Sequence, residues 1–127
     1  MTFIVRVHAG PDYLQVDGAG PADLAELCGY MDLVGTVAAR KGHTHAVLNL
    51  LDVEIALSFT DHLQLGAHAA QQLRNLKRVA SVVPERFRTG TSEKAAQKSG
   101  LQLRTFTSLV EGLTWLASEA QPASRLT

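Results

Sequence analysis

The sequence predicts an α/β domain: a mixed, mainly parallel sheet opened by a β-hairpin and flanked by four helices, in the order β-β-α-β-α-β-α-β-α. Three observations carry this. Two alternating segments at the start are separated by turn residues. Three later strand-like runs are each followed by a stretch of helical periodicity. Strand and helix then alternate strictly, and such alternation demands the crossover connections that parallel strands need.

Phe3 to His8 alternates apolar and polar residues, Ala9-Gly10-Pro11-Asp12 carries turn chemistry, and Tyr13 to Asp17 alternates again, which predicts an antiparallel hairpin. Gly20-Pro21 places a proline where a first helical turn accepts one, and Leu24, Leu27, Cys28, Met31 and Val34 recur at helical spacing up to Arg40-Lys41-Gly42. Ala46 to Leu51 is a short apolar run suited to a strand covered on both faces. Ser58 to Arg74 has the next helical pattern, with Leu63, Ala67, Ala70 and Leu73 on one side and small residues clustered around Gly66. Val79 to Val83 predicts a strand ended by Pro84, and Thr91 to Ser99 a short helix stopped by Gly100. Leu101 to Phe106 alternates as a strand, and Ser108 opens a last helix striped by Leu109, Leu113 and Leu116.

The length of 127 residues and the 46% hydrophobic content suit one core, so a single domain over 1–120 is expected, with 121–127 as a flexible tail. The 12 basic and 12 acidic residues cancel, which leaves no overall field to hold a nucleic acid or an anionic membrane. The chain nowhere has the roughly 18 consecutive apolar residues of a spanning helix, and stable membrane insertion is not expected. A single cysteine, Cys28, and an opening without a charged and then long apolar leader point to the cytoplasm.

Several residue groups bear on chemistry. Arg86-Phe87-Arg88-Thr89-Gly90-Thr91-Ser92 sets two guanidinium groups before a hydroxyl-rich turn that opens a helix, an arrangement able to hold a phosphate or carboxylate. The same residues also suit an ordinary cap, with Thr89 or Thr91 closing the helix and both arginines in water. Ser58-Phe59-Thr60-Asp61 matches the reciprocal capping pattern. His43, His45, His62 and His68 lack metal-ligand spacing, since the last two stand six residues apart and share no helical face, so no metal is expected. The chain carries no Gly-x-Ser-x-Gly elbow, no phosphate-binding Gly-x-x-x-x-Gly-Lys loop and no Gly-x-Gly-x-x-Gly fingerprint; neither catalytic residues nor a cofactor are expected. Cys28 lies on the inward helix stripe as a packing residue. Phe59, Leu65 and Trp115 stand outside the core stripes, and the small residues Gly66 to Ala70 suit close approach by a second subunit or by the chain's own sheet, so a homodimer stays open.

A starting hairpin, a long helix, and a strand ending in Asp52 that leads through Val53-Glu54-Ile55-Ala56-Leu57-Ser58 into a helix resemble the STAS fold of anti-sigma-factor antagonists. Leu76 to Pro84, Gly100 to Phe106 and Glu111 to Leu116 are similar to the SpoIIAA-like bacterial group related to STAS and Sec14-type lipid-binding domains. In phosphorylated STAS members, an Asp-Ser-Ser-Gly-type sequence opens the second helix. Here Ser58 keeps the hydroxyl, while Leu57 replaces the aspartate, and Phe59 and Thr60 replace the small residues. The resemblance implies a non-enzymatic regulatory module that acts by protein contact at the sheet edge where the later helices begin. Asp52, Ser58 and Thr60 form its expected interaction or modified edge, and Arg86, Arg88, Gly90, Thr91 and Ser92 its anion-binding loop. The alternative implied by the Sec14 relationship is a small-molecule or lipid-binding domain with its pocket at the same edge.

Overall fold

A computed structural model describes residues 2–118. The expected tail at 121–127, and the last two residues of the expected domain, lie outside the described residues. The elements are β1 (Ile4–Ala9), β2 (Leu14–Ala22), α1 (Leu24–Lys41), β3 (His45–Ile55), α2 (Phe59–Gln72), β4 (Arg78–Val82), a 3-10 turn (Glu85–Phe87), α3 (Thr91–Lys98), β5 (Leu103–Phe106) and α4 (Leu109–Ser118). Their order is the one the sequence predicts. The five strands form one sheet in the order β1-β2-β3-β4-β5, with β1 antiparallel to β2 and every other pair parallel.

This strand order decides where the helices go. Each parallel connection adds its strand on the same side of the last, and right-handed crossovers in one direction place their helices on one face. Accordingly α1, α2 and α3 share a core with Leu14, Val16, Leu48, Val53, Val79 and Leu103, to which they contribute Leu27, Tyr30, Val34, Leu65, Ala69 and Ala96. Alternation along the strands sends Val47, Ala80 and Val82 to the other face, where Leu116 of α4 covers them. Trp115 belongs to this layer: Arg78 lies 4.5 Å above its ring and donates from Nη1 to the Trp115 carbonyl at 2.8 Å.

α4 packs against β3, β4 and β5, and on the same face the hairpin carries polar side chains. Arg6 and His8 of β1 stand opposite Asp17 and Gln15 of β2. Asp17 accepts from Gln15 at 2.9 Å and Asn49 at 3.1 Å and pairs with His8 at 3.0 Å. Partial burial pushes the Asp17 carboxyl up. The hydrogen bonds from Gln15, Asn49 and His8, with the His8 charge, outweigh that and hold it below the ordinary aspartate value.

Two boundaries differ from expectation. Pro21 lies in β2 rather than in a first helical turn, and α1 starts after Asp23, whose side chain accepts from Glu26 N–H at 3.0 Å while Glu26 reaches back to Asp23 N–H at 3.0 Å. Past Ala19, β2 is paired with β3 alone, so a residue without an N–H donor is tolerated there. The third strand also runs on to Ile55, because Asp52, Val53, Glu54 and Ile55 keep alternating and pair with Ala19, Gly20, Pro21 and Ala22. Asp52 is therefore an exposed position within β3 and not its last residue.

Candidate functional site at the carboxyl edge of the sheet

Parallel strands deliver α2 and α3 to one edge, and their first turns meet there. Ser58 caps α2: its Oγ accepts from Asp61 N–H at 3.1 Å, and Asp61 Oδ2 accepts from Ser58 N–H at 3.1 Å. The hydroxyls of Ser58 and Thr60 lie 3.2 Å apart. Phe59 between them is 68% exposed and Leu63, one turn on, 40%. Of the three apolar residues expected outside the core stripes, Leu65 is buried and Trp115 half-buried, so Phe59 alone faces water.

At β4 the chain leaves through Pro84 and the 3-10 turn, then bends at Gly90, whose φ of 78° is left-handed and suits glycine. Gly90 takes the N-cap position of α3 with no side-chain cap, and the Thr89 hydroxyl accepts from Thr91 N–H at 3.3 Å. Ser92 Oγ bonds His62 Nδ1 of α2 at 2.8 Å, and Glu93 accepts from the Thr105 N–H of β5 at 2.7 Å. Burial holds the His62 imidazole below its ordinary value, more than the Asp61 carboxylate raises it. The start of α3 is thus fastened to both neighbours.

Beneath these turns lies a crevice of about 70 Å³ between the sheet and the three helices. Its inner wall is apolar, from Leu27, Met31, Leu50, Leu65 and Leu103, and its rim carries Arg88, Thr89, Gly90 and Ser92. A separate open cleft of about 320 Å³ brings Asp52 and Glu54 of β3 together with Arg86 and Pro21. The two arginines of the expected loop therefore divide: Arg88 lines the crevice, while Arg86 lines the outer cleft and stacks on Phe87 at 4.6 Å. Ser58 and Thr60 line neither.

The residues that sequence reasoning passed over are Ser81, Thr105 and Glu93, while His62, weighed there only as a metal ligand, bonds Ser92 instead. Ser81 offers the one local signal, a hydroxyl inside the apolar run Val79 to Val83. The histidines go to separate partners: His43 Nε2 meets the Gly10 carbonyl at 2.7 Å, and His68 meets Asp32 at 2.7 Å. Among the described residues no three metal-ligating side chains come together. Gly66, Ala69 and Ala70 of α2 are used within the chain, where a Cβ on Gly66 would stand 2.5 Å from the Ser92 carbonyl oxygen of α3, while Ala67 is exposed.

No family model matches the chain, and no curated protein matches it significantly in sequence. Solved structures do match. An uncharacterized protein of the DUF3478 family with a SpoIIAA-like fold, from Shewanella loihica PV-4, is 19% identical with a TM-score of 0.55, over 90% of this chain and 93% of that one. An anti-sigma factor antagonist from Mycobacterium paratuberculosis is 18% identical with a TM-score of 0.59, over 91% and 94%. The Bacillus cell fate determinant SpoIIAA in its phosphorylated form is 14% identical with a TM-score of 0.50, over 90% and 98%. At these identities the likeness is one of fold: the chain has the STAS-like, SpoIIAA-like architecture that its element order predicts. Among the described residues no helix is long and apolar enough to cross a membrane.

Proposed function

We propose that this domain is a non-enzymatic regulatory module that works by protein contact across the edge where α2 and α3 begin. The observation that carries the reading is the exposed pair Phe59 and Leu63, one helical turn apart beside the hydroxyls of Ser58 and Thr60. Aromatic and aliphatic side chains left in water next to hydrogen-bonding groups have the composition of a contact surface. The presence of anti-sigma factor antagonists among the similar folds supports a partner that is a protein. The partner contacts the first turn of α2, and charge at Ser58 alters the contact.

Affinity capture with the wild type, Phe59→Ser and Ser58→Glu tests this. Phe59 is mostly in water, so Phe59→Ser changes stability by no more than about 0.5 kcal/mol. Proteins held by the wild type are lost from Phe59→Ser and weakened by Ser58→Glu. Retention of the same proteins by both variants rejects the edge as the working surface.

A further inference from the structure

Ser81 is 8% exposed, sits on the interior strand β4, and faces the crevice. No hydrogen bond holds its hydroxyl among the described residues, and that hydroxyl is open to the crevice, since the sealed side-chain atoms without a partner are His43 Nδ1 and Arg78 Nε. A hydroxyl that opens onto an apolar crevice takes its hydrogen-bond partner from whatever fills that crevice. Thr105 of β5 is its direct cross-strand neighbour, so both hydroxyl-bearing side chains point to the same face, and both line the crevice. Each is the last but one residue of its strand, which places the pair at the rim end, with Leu50, Leu65 and Leu103 on the wall beyond.

We propose that the crevice binds a short uncharged amphipathic molecule, a chain of about five carbons ending in a hydroxyl or carbonyl, whose head is hydrogen-bonded by Ser81 and Thr105. The volume sets the length: at roughly 10–15 Å³ per water, about 70 Å³ holds on the order of five waters and falls far below the ~300 Å³ at which drug-sized pockets begin. The long chain of a membrane lipid does not fit. The lining sets the charge. Arg88 and Glu93 both border the space with opposite signs, and burial disfavours the charged form of His62. A carboxylate head is repelled by Glu93 and drawn to Arg88, an ammonium head the reverse, so the rim favours neither sign, while either charge loses its hydration on entering an apolar crevice. An uncharged head avoids that loss. This inference stands apart from the protein-contact reading, since it uses neither Phe59 nor Ser58.

The test is an amide NMR titration of the full chain with 1-pentanol, pentanoate and pentylamine. Pentanol is expected to move the resonances of Ser81, Thr105 and Ser92 saturably, at concentrations where α4 amides stay still, while the two charged probes bind at least tenfold more weakly. Ser81→Ala removes one hydrogen bond and weakens pentanol by about threefold to tenfold, whereas Ser81→Thr, which keeps the hydroxyl, retains binding. Equal binding of pentanoate or pentylamine, shifts spread evenly over the protein, or an unchanged affinity in folded Ser81→Ala overturns the proposal. So does a crystal structure grown with pentanol that shows only ordered water at Ser81. If Ser81→Ala does not fold, the comparison of the three probes on the wild type decides the matter alone.

Discussion

Replacing Gly66 with alanine tests the seam that holds the candidate site together. A Cβ built at Gly66 stands 2.5 Å from the Ser92 carbonyl oxygen and 2.6 Å from the Ala95 Cβ, against roughly 3.5–4.0 Å for a comfortable contact. Neither neighbour is the loose end of a side chain, so α3 itself must retreat by about an ångström. Such overpacking costs about 1–3 kcal/mol, while alanine gains up to about 1 kcal/mol over glycine in a helix. Gly29 of α1 supplies the control. It is exposed and helical, and a Cβ there meets nothing within 4 Å, so Gly29→Ala has the propensity gain without the clash. The difference between the two variants isolates the crossing at about 1–3 kcal/mol, read from urea midpoints at a common slope. Gly66→Ala also shifts the amides of α3 and weakens the 2.8 Å bond between His62 and Ser92. Equal stabilities for the two variants refute the close crossing.

Tyr30→Phe removes the 2.6 Å bond that the buried hydroxyl donates to the Val16 carbonyl, and unfolding measurements show a loss of about 0.5–1.5 kcal/mol; an unchanged midpoint contradicts the bond. His62 has a lowered folded value, so the unfolded chain binds its proton more readily. The stability tied to the neutral ring is full above the ordinary histidine value of about 6.5 and falls as pH drops below it, and His62→Gln removes that component from a pH series of urea midpoints. Burial, and then the Asp32 carboxylate, push the Cys28 thiol up, so iodoacetamide labels it more slowly at neutral pH than it labels free cysteine, and Asp32→Asn speeds the reaction. Labelling as fast as free cysteine runs against both causes.

The fold is legible in the sequence because periodicity reports burial, and burial is what a sheet between two helix layers imposes. Val79-Ala80-Ser81-Val82-Val83 reads as a covered strand and is one, with its residues divided between the two cores. Boundaries fail where two local patterns compete. Gly20-Pro21 has the look of a helix start, yet Asp23-Leu24-Ala25-Glu26 holds the stronger signal, a reciprocal cap that satisfies two backbone donors. Asp52 and Glu54 look like loop residues, but they are the outward half of an alternating strand. The edge bearing Ser58, Thr60 and the Arg86 to Ser92 segment follows from parallel topology alone. The crevice does not, since it depends on how far α3 stands from β5 and on Ser81 and Thr105 sharing a register position across two strands. No spacing along the chain encodes that meeting.

The sequential strand order has a further consequence during synthesis. Since β1-β2-β3-β4-β5 are neighbours both in the chain and in the sheet, no strand must be threaded between two that are already paired. The sheet can lengthen one strand at a time as the chain leaves the ribosome, each addition closing a loop no longer than one helix and its turns. The vulnerable moment comes late. Until Leu103–Phe106 arrives, the open side of Arg78–Val82 is an apolar strand edge, and a chain halted there is the form most prone to pair with a copy of itself.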